Sequence, residues 1–395
     1  MAGASARIDQ IQSAMEASGV DAVVLRLAEN IVLATRWYVQ IPGLAFAVVG
    51  RTGGASLLIP EYEAPEAETV WRGDIRTFPA IRNDGPAPGV EIERHLRELA
   101  SEHGAAGGVV GFEGSFESIA PGSIHGEPNA VATPTQSLLE KAFATERLQD
   151  FTEPLEAIRA IKTDEEVELI RRTNEIAVFG LDAFKEHAVP GKTEVEVMAA
   201  VEYAISVQGH GHKGARWVRG FCTICSGPAL ADGWQYWRAR TRPIERDDVV
   251  MLELGTVADG YWSDHTRTVV AGTGSPKLRA AYDAVRDAAR AGFAAAKPGA
   301  TGGEVDAASR AACAAAGFTQ FPHHTGHGTG FRYHESRPGL VPGGADVLAA
   351  GNVIITEPGI YGAELNGGVR HEDNAVVTGD GAVVLATTGY SFELD

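Results

Sequence analysis

The stretch MLELGTVADGYWSDHTRTVV, Met251 to Val270, reads as a β-hairpin with Asp259-Gly260 at its tip. That dipeptide suits a two-residue type I′ turn, in which both central residues take positive φ. The turn fixes the register: Ala258 faces Tyr261, Gly255 faces Asp264, and Glu253 faces Thr266. Side chains alternate along a strand, so Glu253, Gly255, Asp264 and Thr266 share one face. Glu253 then lies diagonal to Asp264 at roughly 7–8 Å between backbones, and Gly255 leaves a gap between the acids. Two buried carboxylates this close repel, so the face holds a cation, or a proton on one acid. A solvated polar strand face is the alternative.

An internal echo extends the pattern. Pro-Gly-x-Thr-x-x-Glu-Val occurs at Pro190 (PGKTEVEV) and again at Pro298 (PGATGGEV), 108 residues apart. Self-similarity of this kind marks related structural units. The first copy follows an amphipathic helix opened by a capping box of Thr163 and Glu166, and Thr193 and Glu196 repeat the device. The second copy follows a helix capped by Ser275, with Pro276 in its first turn. Each helix pair leads into strands, so residues 151–395 read as two related α/β halves.

Moving Asp264 along by the same 108 residues arrives at Glu372, in GGVRHEDNAVV, where Arg370 and Glu372 share a strand face. Upstream, VIITEPGIY places Glu357 at the end of an apolar strand, where a buried carboxylate needs a partner. Between the halves, FPHHTGHGTGFRYHESRP holds His323, His324, His327 and His334 among glycines that admit close backbone approach. Carboxylates with one imidazole suit manganese, iron, cobalt or zinc, and bridging carboxylates allow a pair of ions.

Residues 1–150 alternate apolar strands (DAVVLRL, AFAVVG, ASLLIP, GGVVGFEG) with helical pieces such as GVEIERHLRELASEHG. They form an α/β domain without a His/Asp/Glu cluster, suited to shaping the substrate site or forming a dimer. Across the 395 residues, 52 acids against 34 bases give a formal charge of −18. That charge disfavours nucleic acid and anionic membrane as partners and leaves a small peptide or small molecule. The opening MAGASARIDQIQSAMEASG lacks a secretory pattern and no apolar run is long enough for a membrane span, which points to the cytoplasm. Cys222, Cys225 and Cys313 form no disulfide framework and read as buried, reduced thiols, the first two on opposite strand faces.

The motifs GYWSDHTRT, HHTGHGTGFRYHE, TEPGIY and GGVRHED, in this order, resemble those of the pita-bread metallohydrolases, the group of methionine aminopeptidase, aminopeptidase P and prolidase. The two-domain layout resembles aminopeptidase P, prolidase and creatinase, with the N-terminal part matching more loosely. The resemblance implies an α/β (α+β) architecture in which a pseudo-twofold pita-bread domain follows a creatinase/prolidase-type N-terminal domain. It implies one or two divalent ions, manganese ahead of zinc, cobalt or iron, on Glu253, Asp264, His327, Glu357 and Glu372. Asp264 and Glu372 would bridge; Glu253 would serve the second ion alone. Glu357 would also shuttle a proton, His334 would stabilise the oxyanion, and His323 and Arg370 would line the substrate pocket. The implied activity is hydrolysis of a C–N bond in a dipeptide or short peptide, of the Xaa-Pro type, by a homodimer.

Two departures stand out. The family's first ligand is an aspartate in Asp-x-Gly, whereas this chain has Glu253 in ELG. One methylene moves a carboxylate by about 1.3–1.5 Å, large for a metal site, so one firm ion and a weak, altered or absent second are expected. A histidine that the peptidases carry upstream is missing too: SGPALADGWQYWRARTRP offers Trp234, Tyr236 and Trp237 instead. Tyr236 and Trp234 then become candidates for substrate contact, with plain packing as the alternative. A same-fold enzyme acting on a non-peptide molecule, as in creatinase, ectoine hydrolase or dimethylsulfoniopropionate lyase, is the second reading, and a non-catalytic binding module the third.

Overall fold

A computed structural model of the chain describes residues 2–39, 44–81, 86–115, 133–233, 238–318, 322–386, 388 and 391–394. They divide into two compact units, Met1–Arg159 and Ala160–Asp395.

In the first unit six strands form one sheet, in spatial order Asp74–Phe78, Ala55–Pro60, Phe46–Gly50, Ala22–Leu25, Val110–Phe112 and Leu148–Asp150. The four central strands are the apolar runs of the sequence, each buried along its length. The outer two carry no such signal. DIRTF is mostly solvent-facing and LQD is three residues long, because an edge strand has little to bury. Helix Pro88–Glu102 presents Ile92, Leu96 and Leu99 to this core at helical spacing.

The second unit carries helices Asp164–His187, Glu194–Gly209, Pro276–Ala295 and Gly302–Ala315. Both predicted capping boxes are present, and a third, Thr301 with Glu304, opens Gly302–Ala315. The repeated motif is therefore a helix start, its Thr the N-cap and its Glu the reciprocal acceptor. Ser275 caps the remaining helix through Leu278 N–H. An antiparallel sheet joins Val218–Ser226, Val249–Ala258 and Tyr261–Val270. A second sheet runs Glu335–Leu340, Gly326–Gly328, Val353–Thr356, Asp373–Thr378 and Gly381–Val384, and Gly359–Gly362 pairs with Gly367–Arg370.

The hairpin has the deduced register, with Gly255 opposite Asp264 and Glu253 opposite Thr266. Asp259 and Gly260 take φ of 50° and 86°, as its turn requires. Every residue of both strands is buried, which removes the solvated-face alternative. The space over Gly255 is not a gap between acids: a Cβ there would lie 1.8 Å from the ring of Phe221, which faces Gly255 from the third strand. Cys222 and Cys225 enter different core clusters on the two faces of Val218–Ser226, and all three thiols are free and buried.

Candidate metal centre

Five carboxylate and imidazole positions reach one place from both sheets. Glu253 and Asp264 come from the hairpin, His327 from the middle of Gly326–Gly328, and Glu357 from the residue after Val353–Thr356. Glycines flank His327 because neighbouring backbone leaves no room: a Cβ at Gly326 would lie 1.9 Å from Ile355 O, and one at Gly328 2.2 Å from Arg337 O. Glu372 does not share a strand with Arg370 as expected. It sits at the break between Gly367–Arg370 and Asp373–Thr378, which belong to different sheets. There its N–H bonds Thr266 O at 3.1 Å and its carbonyl accepts from Arg267 Nη1 at 2.6 Å, which hold the side chain towards the hairpin.

The donor atoms overlap in three groups: Glu253, Asp264 and Glu372; Asp264, His327 and His334; His324, His327 and Glu357. Within each, the atoms lie within 4.8 Å of one another. His327 Nε2 stands 3.5 Å from Glu357 Oε1 and 3.8 Å from Asp264 Oδ2. His327 Nδ1–H donates to Gly328 O at 2.8 Å, which leaves the lone pair on Nε2. That nitrogen, Asp264 Oδ1 and Glu372 Oε1 have no hydrogen-bond partner, on residues at most 1% exposed. Each unsatisfied buried group costs about 1–3 kcal/mol, so acceptors left without a donor on clustered ligand residues fit a divalent cation.

The electrostatics agree. Burial, then Glu372, Glu253 and Glu357, push Asp264 well above the carboxylate range, and burial with Glu357 and Glu253 does the same to Glu372. Burial lowers His327 to about 4, keeping the imidazole neutral. Burial also opposes ionisation of Glu357, but His324, through charge and a hydrogen bond, then His327 and His323, outweigh it and hold this carboxyl well below its usual value.

Glu253 is satisfied without a cation. Its carboxylate takes the Arg370 guanidinium, accepts from Tyr333 OH, and lies 2.7 Å from Thr266 Oγ1. Thr266 Oγ1 is also 2.7 Å from Glu372 Oε2, and its single proton serves one acid at a time. Arg370, expected against the substrate, is 2% exposed with its guanidinium on Glu253 and Thr266. Tyr333 is fixed by its neighbours, edge-on to Phe221 at 5.1 Å and stacked on His334 at 4.3 Å.

His334 Nε2 lies 3.0 Å from Asp264 Oδ2. His323 Nδ1–H donates to His324 O at 2.8 Å, so its Nε2 accepts from Tyr361 OH at 3.0 Å. Burial depresses this imidazole to about 4. Trp234 and Tyr236 lie outside the described residues. Sequence reasoning assigned no role to Tyr333, Tyr361 or His324. Only His324 carried a signal, its place in the His-rich loop.

Residues 168–379 match Metallopeptidase family M24. The Xaa-Pro dipeptidase of Pyrococcus furiosus is 40% identical over 235 residues, 58% of this chain and 64% of that protein. The uncharacterized peptidase YqhT of Bacillus subtilis is 36% identical over 259 residues, 65% of this chain and 70% of that one. Among solved structures, an Xaa-Pro dipeptidase from Bacillus anthracis superposes with a TM-score of 0.81 at 26% identity, covering 99% of each chain.

Proposed function

The chain belongs to metallopeptidase family M24, and from that membership and its buried donor cluster we propose that it is a metal-dependent dipeptidase. The observation that carries this reading is that His327 Nε2, Asp264 Oδ1 and Glu372 Oε1 are buried without partners, on residues whose donor atoms fall in overlapping groups. Asp264, His327, Glu357 and Glu372 hold the first ion. Glu253, tied to Arg370 and Tyr333, gives a second ion little. A bound divalent cation supplies Lewis acidity, activating water and polarising the peptide carbonyl.

The chain's own residues do the rest. Glu357, held ionised chiefly by the charge and hydrogen bond of His324, accepts a proton from water and hands it to the leaving nitrogen. His334 donates to the carbonyl oxygen as negative charge develops there. His323, its tautomer set by His324 O and Tyr361, faces the substrate as a neutral group. The names of the relatives support a dipeptide with proline after the scissile bond. We read residues 1–150 as the N-terminal domain of a cytoplasmic homodimer and 151–395 as the catalytic domain. The test is a panel of Xaa-Pro and other dipeptides offered to the purified, metal-loaded protein. Cleavage that a chelator abolishes is expected; no cleavage across the panel refutes the peptidase reading.

A further inference from the structure

His324 is outside the ligand set implied by the family resemblance, yet its Nε2 lies 2.8 Å from Glu357 Oε1. The same oxygen is 3.5 Å from His327 Nε2, and the three atoms fall within 4.8 Å of one another. Ligands about 2.0–2.1 Å from a tetrahedral ion stand roughly 3.3 Å apart. His327 and Glu357 are thus already at ligand spacing, and His324 is closer to Glu357 only by the difference between a hydrogen bond and a shared cation. The rings of His324 and His327 are 5.8 Å apart and inclined at 77°, so neither stacks on the other. An independent sign of a ligand comes from His327, which is 1% exposed with Nε2 unpartnered.

We propose that His324 is a further ligand of the ion held by His327 and Glu357, giving this chain's first metal position a second imidazole beside its carboxylates. The proposal rests on reading this cluster as a metal centre. Without the ion, His324 Nε2–H donates to Glu357 Oε1. On binding, Nε2 gives its proton up to solvent while Nδ1 carries the ring's one N–H, so a neutral imidazole turns its Nε2 lone pair to the cation together with Oε1. The side chain of His324 is 28% exposed, which gives that proton a way out, whereas His327 is sealed. Imidazole suits zinc and iron, and carboxylate and water suit manganese, so this residue moves the preference from manganese towards zinc.

The test uses the full chain, stripped of metal and titrated with Co(II), Zn(II) or Mn(II) alone, as the unaltered protein, His324→Ala and His324→Gln. Glutamine keeps a hydrogen-bond donor for Glu357 but replaces the imidazole. Both variants are expected to lose about tenfold or more in cobalt and zinc affinity, with smaller losses for manganese. The visible absorption of the cobalt form should shift in both. If His324→Gln keeps the affinity and cobalt spectrum of the unaltered protein, His324 acts only by hydrogen-bonding Glu357 and the proposal fails. If His324→Ala loses its fold, the glutamine comparison alone decides. An unaltered protein that binds none of these ions refutes the metal-centre reading itself, a separate result.

Discussion

Arg370 and Glu253 form an ion pair almost wholly removed from water, with side chains 2% and 4% exposed. The guanidinium supplies, from within the chain, positive charge that a second metal ion would otherwise bring to this carboxylate. On the function proposed above, Asp264, His327, Glu357 and Glu372 are left to the first ion, and the pairing accommodates a glutamate at position 253.

Shortening that side chain should reopen the second position. Glu253→Asp withdraws the carboxylate by about 1.3–1.5 Å from Arg370 and Tyr333. Metal content measured by mass spectrometry is expected to rise from a single ion per chain towards a pair. An unchanged stoichiometry would show that the pairing does not control the second site.

Breaking the pair should be costly. Arg370→Met leaves Glu253 buried and uncompensated, a loss of about 3–5 kcal/mol in denaturant unfolding. Adding Glu253→Gln should recover much of that loss, since the buried charge is then gone. Additive effects of the two changes would mean that they are energetically independent.

The thiols predict an alkaline weakness. Burial raises Cys225 and Cys313 from 9.0 to about 11, and Cys222 well above 9.0. A folded pKa above the unfolded one means that the unfolded chain releases its protons first. The stabilisation is therefore complete below pH 9 and is lost as pH rises towards 11. Unfolding midpoints should fall across that window, and Cys225→Val with Cys313→Val should flatten the fall. At pH 8 the native thiols should resist a disulfide reagent that labels all three in denaturant.

Removing the N-cap of the long helix gives a smaller, local effect. Thr163→Ala deletes the acceptor for Glu166 N–H and should cost about 1 kcal/mol. Thr163→Ser should restore most of it; equal losses in both variants would show that the hydroxyl is not the cause.

Much of this site is legible in the amino-acid sequence. The Asp-Gly turn dictates the hairpin register and so puts Glu253 and Asp264 on one face, and the echo leads from Asp264 to Glu372. What escaped depends on contacts between distant segments. Arg370 is 117 residues from Glu253, and its reach depends on rotamer and on a strand that ends just before Glu372. Phe221 fills the space over Gly255 from a strand whose pairing follows a long connection, and local patterns do not specify such pairings. The edge strands of the first sheet escaped because they bury too little to leave an apolar pattern.

The dipeptidase centre proposed above works with one firmly held ion. Its most direct test is titration of the metal-free protein with Co(II) or Zn(II) while following proline release from an Xaa-Pro dipeptide. Activity is expected to appear with the first equivalent of metal and to saturate there. Saturation only at a second equivalent, or no hydrolysis at any loading, would contradict it.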